Sequence, residues 1–165
     1  MELYLLRHGI AEARLPGRPD EKRELTPKGR ERLRLVLDVA RNAEVGPSLI
    51  LSSPYPRAAQ TAEMAARILN CKQPVALTDA LLPGASPEAV WHEIRAHRAE
   101  KALLLAGHEP LLGRTASFLL GAASVQVELK KGALLALDID RFDAQPRARL
   151  RWLLTAKLAA AGQRR

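Results

Sequence analysis

A chain of 165 residues fits one compact domain, and its 47% apolar content suffices for a core built mainly from Leu and Ala, since aromatics are only 4%. The 26 Lys+Arg against 18 Asp+Glu leave a net charge of +8, which favours anionic partners such as phosphorylated molecules or acidic protein faces. No window approaches the roughly 20 apolar residues of a membrane span, no export signal opens the chain, and the single Cys71 has no partner for an internal disulfide, so a cytoplasmic protein is expected.

In chain order, residues 3–6 are an apolar run that reads as a buried strand ending abruptly in Arg7, His8 and Gly9. Residues 14–24, with two prolines, read as a loop too charged to bury. A helix is expected over 25–43, with Thr26 as N-cap, Pro27 at its first position, and Leu33, Val36, Leu37 and Ala40 on one face. After a break at Gly46 and Pro47 comes a second buried strand, 48–53, and then a helix over 54–70 with Ala62, Ala65, Ala66 and Leu69 facing inward and Asn70 as its stop. Residues 74–78 suggest a short edge strand and 81–86 a loop. A helix at 87–98 leads into a third apolar strand, 101–107, and another helix at 111–121. Segments 124–129, 132–139 and 147–155 look like strands, the last two joined by a turn at 140–146. This alternation predicts a layered α/β/α single domain with a largely parallel central sheet over residues 1–158, followed by a short basic tail over 159–165.

Open sheets of this kind bind ligands beyond the carboxyl ends of their strands. The junctions after Leu6, Leu51 and Ala106 carry RHG, SSPYPRAAQT and GHEP. Arg57 lies near the start of a helix, where the macrodipole disfavours a cation by roughly a few tenths of a kcal/mol. An anion shared with the helix N-terminus reverses that penalty. Arg7, His8 and His108 could converge on the same anion, and a phosphoryl group suits guanidinium forks.

The usual nucleophiles find little support. Cys71 follows a helix with no basic turn around it, and neither a G-x-S-x-G elbow nor a phosphate-binding glycine loop is present. HEIRAH imitates a zinc-protease motif, but His92 and His97 are five residues apart and do not share a helix face. Histidine itself, through its neutral imidazole, remains a competent nucleophile: His8 attacks phosphorus while His108, Arg7 and Arg57 stabilise the transferring group.

LYLLRHG, LSSPYPRAAQTA and LLLAGHEPLLG, with LTPKG after a short loop, resemble the histidine phosphatase superfamily and its phosphoglycerate-mutase-like fold. The short chain looks most like the SixA-type phosphohistidine phosphatases, and the resemblance runs from residue 2 to about residue 140. It implies that His8 is the nucleophile, that Arg7 and Arg57 bind phosphate and that His108 contacts the phosphoryl group, with Gly9 letting the backbone turn. It further implies no metal or organic cofactor, and a phosphohistidine intermediate hydrolysed by water. The implied partner is a phosphorylated protein, such as a histidine phosphotransfer domain, or a small phosphorylated substrate; neither membrane nor nucleic acid is expected.

Mutase and phosphomonoesterase relatives supply a carboxylic acid to protonate the leaving alkoxide, and no residue aligns convincingly with it. Asp79, Glu88 and Glu93 lie in the right region, and Glu12 and Glu109 are further candidates. The gap fits a nitrogen leaving group: the conjugate acid of imidazole has a pKa of about 6.5, against about 15.7 for water as a guide to alkoxides. Hydrolysis of protein phosphohistidine is therefore expected. A small-molecule phosphomonoester or polyphosphate phosphatase, and a phosphoprotein-binding module with low turnover, stand as alternatives. Lys130 and Lys131, before a strand, read either as a solvated hairpin end or as a basic rim that steers an acidic partner.

Overall fold

The computed structural model describes residues 1–162. Its six-stranded sheet contains β1 (Glu2–Arg7), β2 (Leu49–Ser52), β3 (Ala76–Leu77), β4 (Ala102–Gly107), β5 (Leu134–Arg141) and β6 (Arg147–Leu154), in the order β3-β2-β4-β1-β5-β6. The first four strands in that order run parallel; β5 and β6 form an antiparallel flank. All six residues of β4 are buried, the expected state of a central parallel strand covered on both faces.

Period-two alternation divides the apolar residues between two cores. On one face Leu3, Leu5, Leu51 and Leu103 pack against α3 (Pro87–Ala96) and α4 (Leu111–Leu119). On the other, Tyr4, Leu6, Ile50 and Leu104 pack against α1 (Pro27–Asn42) and α2 (Pro56–Ile68). The expected α/β/α layering is present. Helix α1 begins where anticipated: the Thr26 hydroxyl accepts from the Gly29 amide at 3.0 Å, and Pro27 lies in the first turn. Its buried face is Gly29, Leu33, Val36, Leu37 and Ala40.

Three segments differ from expectation. Residues 124–129 form no strand and stand outside the six-stranded sheet. The alternating apolar residues there pack Val127 and Leu129 onto the core instead. The charged loop 14–24 carries a 3-10 turn, Asp20–Lys22, and buries Arg23 to 8% exposure. At the C-terminus, α5 (Ala156–Gly162) packs on α1 and buries Ala159, so the expected boundary after residue 158 falls inside a helix. The terminal part of the expected basic tail, residues 163–165, lies outside the described residues.

Candidate active site

Strand register assembles the site. β1 and β4 pair in parallel, with Leu6 opposite Ala106 and Arg7 opposite Gly107, and the His8 amide donates to the Gly107 carbonyl at 3.0 Å. His8 and His108 therefore leave adjacent strands at the same height, their ring centroids 5.1 Å apart. On the other side of β4, Ser52 of β2 pairs with Ala106, and the Ser53 amide donates to the Ala106 carbonyl at 3.0 Å. Ser53 Oγ then reaches His108 Nε2 at 2.8 Å. Three strands thus deliver their first residues beyond the sheet to one point at its carboxyl edge.

The His8 ring has a defined tautomer. Its Nδ1 lies 2.7 Å from the Gly9 carbonyl oxygen, which can only accept, so Nδ1 carries the proton and Nε2 keeps its lone pair. Burial is the main cause that pushes the His8 pKa down to about 4; the Gly9 bond works against it, while Arg57, Arg7 and Lys131 add to the fall. His108 falls to about 3, first through burial and then through His8 and Arg57. Both imidazoles are neutral near pH 7.

Gly9 plays a different part from the one expected. Its φ is not in the left-handed region, which among glycines holds Gly17, Gly121 and Gly132. What it supplies is room: a Cβ would stand 3.2 Å from Leu25 Cδ2 and 3.3 Å from the Gly29 carbonyl oxygen. Gly29 makes the matching approach, since a Cβ there would sit 2.0 Å from the Ile10 carbonyl oxygen. This close contact brings the start of α1 against the RHG turn. The Gly9 amide donates to Thr61 Oγ1 at 3.2 Å, and that hydroxyl donates to the Arg57 carbonyl at 2.8 Å, tying the nucleophile's turn to α2.

Arg57, in the first turn of α2, is 3% exposed. Its Nη1 donates to the Asp20 carbonyl at 2.6 Å and its Nη2 to Asp20 Oδ2 at 2.8 Å, while Nε has no partner. Arg7 donates through Nη1 to the Leu129 carbonyl at 2.6 Å, and its Nε is likewise unpartnered. Among the described residues, the buried side-chain polar atoms without partners are Arg7 Nε, Arg57 Nε, His108 Nδ1 and Thr115 Oγ1. Three of these four belong to the side chains grouped here. Buried donors without partners are costly, at about 1–3 kcal/mol each, and a shared anion is the partner that suits cationic donors.

These side chains line a cavity of about 400 Å³ together with Glu12, Asp20, Arg23, Pro83, Glu109 and Lys131. Arg23 and Asp20 went unrecognised in the sequence. Arg23 is drawn in because residues 10–12 pair with 24–26, through the Glu12 amide to the Glu24 carbonyl at 2.9 Å and the Thr26 amide to the Ile10 carbonyl at 2.9 Å. Its Nη1 then holds Asp20 Oδ1 at 2.6 Å. Burial opposes a charge on Asp20, but the Arg23 hydrogen bond and the Arg57 charge prevail and bring its carboxyl down to about 2. Nothing in a charged, proline-containing loop signals such a role.

The acid candidates separate cleanly. Glu12 is held below the usual carboxylate range, chiefly by the Glu24 amide, with Arg18 adding to the fall. Glu88 and Glu93 lie on α3 and Asp79 on the 3-10 turn Asp79–Leu81; none lines the cavity. Glu109 does line it, and burial raises its pKa against the pull of the Leu129 amide and Arg7. Its Oε1 accepts from the Leu129 amide at 3.0 Å. From residues 81–86 only Pro83 reaches the cavity. His92 is exposed on α3, His97 caps that helix beside Glu93 at 3.4 Å, and Cys71 is half-buried near Ser48, all apart from the cavity. Lys130 pairs with Glu128.

The family model for the histidine phosphatase superfamily (branch 1) matches residues 3–82. An uncharacterised protein of Picosynechococcus sp. is 36% identical over 140 residues, covering 83% of this chain and 84% of that protein. The chain belongs to the histidine phosphatase superfamily. Among solved structures, this histidine phosphatase superposes on the protein histidine phosphatase SixA complexed with tungstate, with a TM-score of 0.84, 23% identity, and coverage of 95% and 98% of the two chains. A candidate SixA phosphohistidine phosphatase from Agrobacterium tumefaciens gives a TM-score of 0.80 at 28% identity, covering 93% and 97%. The phosphatase therefore has the phosphoglycerate-mutase-like fold that its motifs implied. No helix among the described residues is long and apolar enough to cross a membrane.

Proposed function

We propose that this phosphatase removes phosphate from histidine on a protein, passing the phosphoryl group first to His8 and then to water. The observation that carries the reading is the 2.7 Å contact from His8 Nδ1 to the Gly9 carbonyl, which leaves Nε2 unprotonated on a neutral ring. In the first step Nε2 forms a bond to phosphorus, the phosphorus–nitrogen bond of the substrate breaks, and the departing imidazole takes up a proton. In the second, a water oxygen attacks phosphorus, the bond to Nε2 breaks, and inorganic phosphate leaves.

Arg7 and Arg57 offer their unpartnered Nε–H groups to the phosphoryl oxygens. Ser53 Oγ accepts from the Tyr55 amide at 3.4 Å and has its own proton to give to His108 Nε2. That places the His108 proton on Nδ1, where it becomes a further donor to the transferring group. Substrate nitrogen accounts for the sparse acid provision: the loop from 81 to 86 contributes Pro83 and no carboxyl to the cavity. The SixA relatives support the same substrate class. The one observation on the side of ester hydrolysis is the raised pKa of Glu109 at the cavity wall.

A rapid-quench experiment with a ³²P-phosphohistidine protein tests the reading. Label should appear on the enzyme as an acid-labile, alkali-stable adduct and then as free phosphate, and His8→Ala should abolish both. Phosphoserine on the enzyme, or full hydrolysis by His8→Ala, would refute the nucleophile. Faster turnover of an aryl phosphate would favour an ester substrate, and a trapped label that is never released would favour a binding module.

A further inference from the structure

The flanks of the phosphoryl cavity differ in charge. On one side a second cavity, of about 530 Å³, shares Arg7 and Lys131 with the first and adds Arg32, Lys130 and Lys157. Among the described residues, the one carboxylate lining it, Glu128, is tied to Lys130. A third, of about 520 Å³, continues from it along the seam of α1 and α5, again lined by Arg32 and Lys157. The result is a furrow that starts at Arg7 and carries Lys130, Lys131, Arg32 and Lys157 along walls otherwise made mainly of apolar side chains. The groove that shares Glu109 with the phosphoryl cavity has Glu109, Glu128 and Arg114 as its charged residues, among Ser117, Gln126 and apolar side chains, and meets the furrow at Glu128.

The furrow's cations come from separate elements held in fixed relation. Arg32 stands on α1 and Lys157 on α5, which pack together. Lys131 occupies a turn in which the Ala133 amide donates to the Lys130 carbonyl at 2.8 Å and Gly132 has φ +74°. The Gly132 amide donates to the Arg7 and His8 carbonyls at 3.2 and 3.1 Å, which fixes Lys131 beside the nucleophile. Among the described residues, Arg32, Lys131 and Lys157 make no ion pair, whereas Arg14, Arg18, Arg23, Arg41 and Arg57 do.

We infer that this furrow docks an acidic segment of the phosphohistidine-bearing protein, directing its phosphoryl group toward His8; the inference rests on the phosphohistidine reading above. A compact second phosphate would call for buried, convergent donors. Here Arg32, Lys130, Lys131 and Lys157 are all exposed and are spread along the furrow, an arrangement suited to steering a broad acidic surface. On this inference, the flank is where one histidine-phosphorylated protein is told from another.

Two synthetic phosphohistidine peptides of equal length, one with Asp and Glu flanks and one with Asn and Gln, test this. Wild type should show kcat/KM about tenfold higher for the acidic peptide at low salt, narrowing as salt is added. The double variant Arg32→Glu/Lys157→Glu should lose that preference yet hydrolyse phosphoramidate at the wild-type rate. Equal kcat/KM for the two peptides in wild type, or a preference that survives the double substitution, would overturn the inference. So would an equally large loss toward a small bisphosphate, which would assign the furrow to a compact polyanion. If wild type does not hydrolyse phosphoramidate, the phosphatase reading fails separately. The furrow is then read by fluorescence anisotropy of the same peptides on His8→Ala protein: tighter binding of the acidic peptide that Arg32→Glu/Lys157→Glu removes supports it, and equal binding refutes it.

Discussion

Acidification below about pH 6.5 should destabilise this protein through His8. The ring is 6% exposed and its pKa falls from 6.5 to about 4, with burial as the leading cause. A depressed pKa means that the unfolded chain takes up the proton first. Stability is therefore complete above about pH 6.5, falls as pH drops below it, and stops falling from this source near pH 4. At about 1.36 kcal/mol for each tenfold change in proton affinity, the fall across that window is roughly 3 kcal/mol for His8 alone. That is a large part of a typical folding free energy of about 5–15 kcal/mol. The assay is urea unfolding at half-unit steps from pH 8 to pH 4, for wild type and His8→Gln, with the His8 ring followed by ¹⁵N-resolved NMR. The variant should show the shallower dependence, and the wild-type ring should remain the Nδ1–H tautomer below pH 6. A His8 ring that titrates near 6.5, or identical pH dependence in the two proteins, would refute the argument.

Two further substitutions probe how the site is held. Gly29→Ala would push a Cβ to 2.0 Å from the Ile10 carbonyl oxygen, with Ile10 C at 2.9 Å, so backbone must move; a loss of about 3 kcal/mol or more in urea unfolding is expected. Because the displaced segment adjoins Gly9, a variant that still folds should lose kcat as well, and unchanged stability would show that the approach is looser than described. Glu109→Gln separates positioning from proton donation. Glu109 Oε1 accepts from the Leu129 amide, whose residue's carbonyl holds Arg7, and Gln keeps that acceptor oxygen, so a positioning role predicts little loss on either phosphoramidate or aryl phosphate. A loss confined to the aryl ester would make Glu109 the acid.

Most of the fold could be read from periodicity because the apolar residues serve one purpose. Leu3, Leu5, Tyr4 and Leu6 alternate between two cores, and Leu33, Val36, Leu37 and Ala40 recur at helical spacing on α1. Residues 124–129 alternate equally well, yet alternation alone cannot report whether a strand partner stands opposite them, and among the described residues none does. The grouping of His8, Arg57 and His108 was legible because each follows a strand with an unusual residue for its place. Ser53, Thr61 and Arg23 were not, because their partners are set by register and loop pairing: Ser53 meets His108 only because Ser52 lies opposite Ala106. Gly9 was read for its conformational freedom, whereas the constraint is the approach of Leu25 and Gly29.

Asp20 explains how so many guanidinium groups can gather beside two neutral histidines. Its carboxylate takes Arg57 Nη2, Arg23 Nη1 and Arg14 Nε, and its carbonyl takes Arg57 Nη1. The grip is on the end of the Arg57 fork, so the guanidinium is oriented and partly neutralised while its Nε edge keeps a free donor. Without that carboxylate, Arg57 and Arg23 would repel each other in a desolvated place, as the lowering of the Arg57 pKa, first by burial and in part by Arg23, already indicates. The same negative charge opposes an incoming phosphoryl group. Yet Asp20 offsets one of the three guanidinium charges it holds, so the cluster stays net positive, and Arg7 and Lys131, where the cavity meets the furrow, add cations that no carboxylate among the described residues holds there.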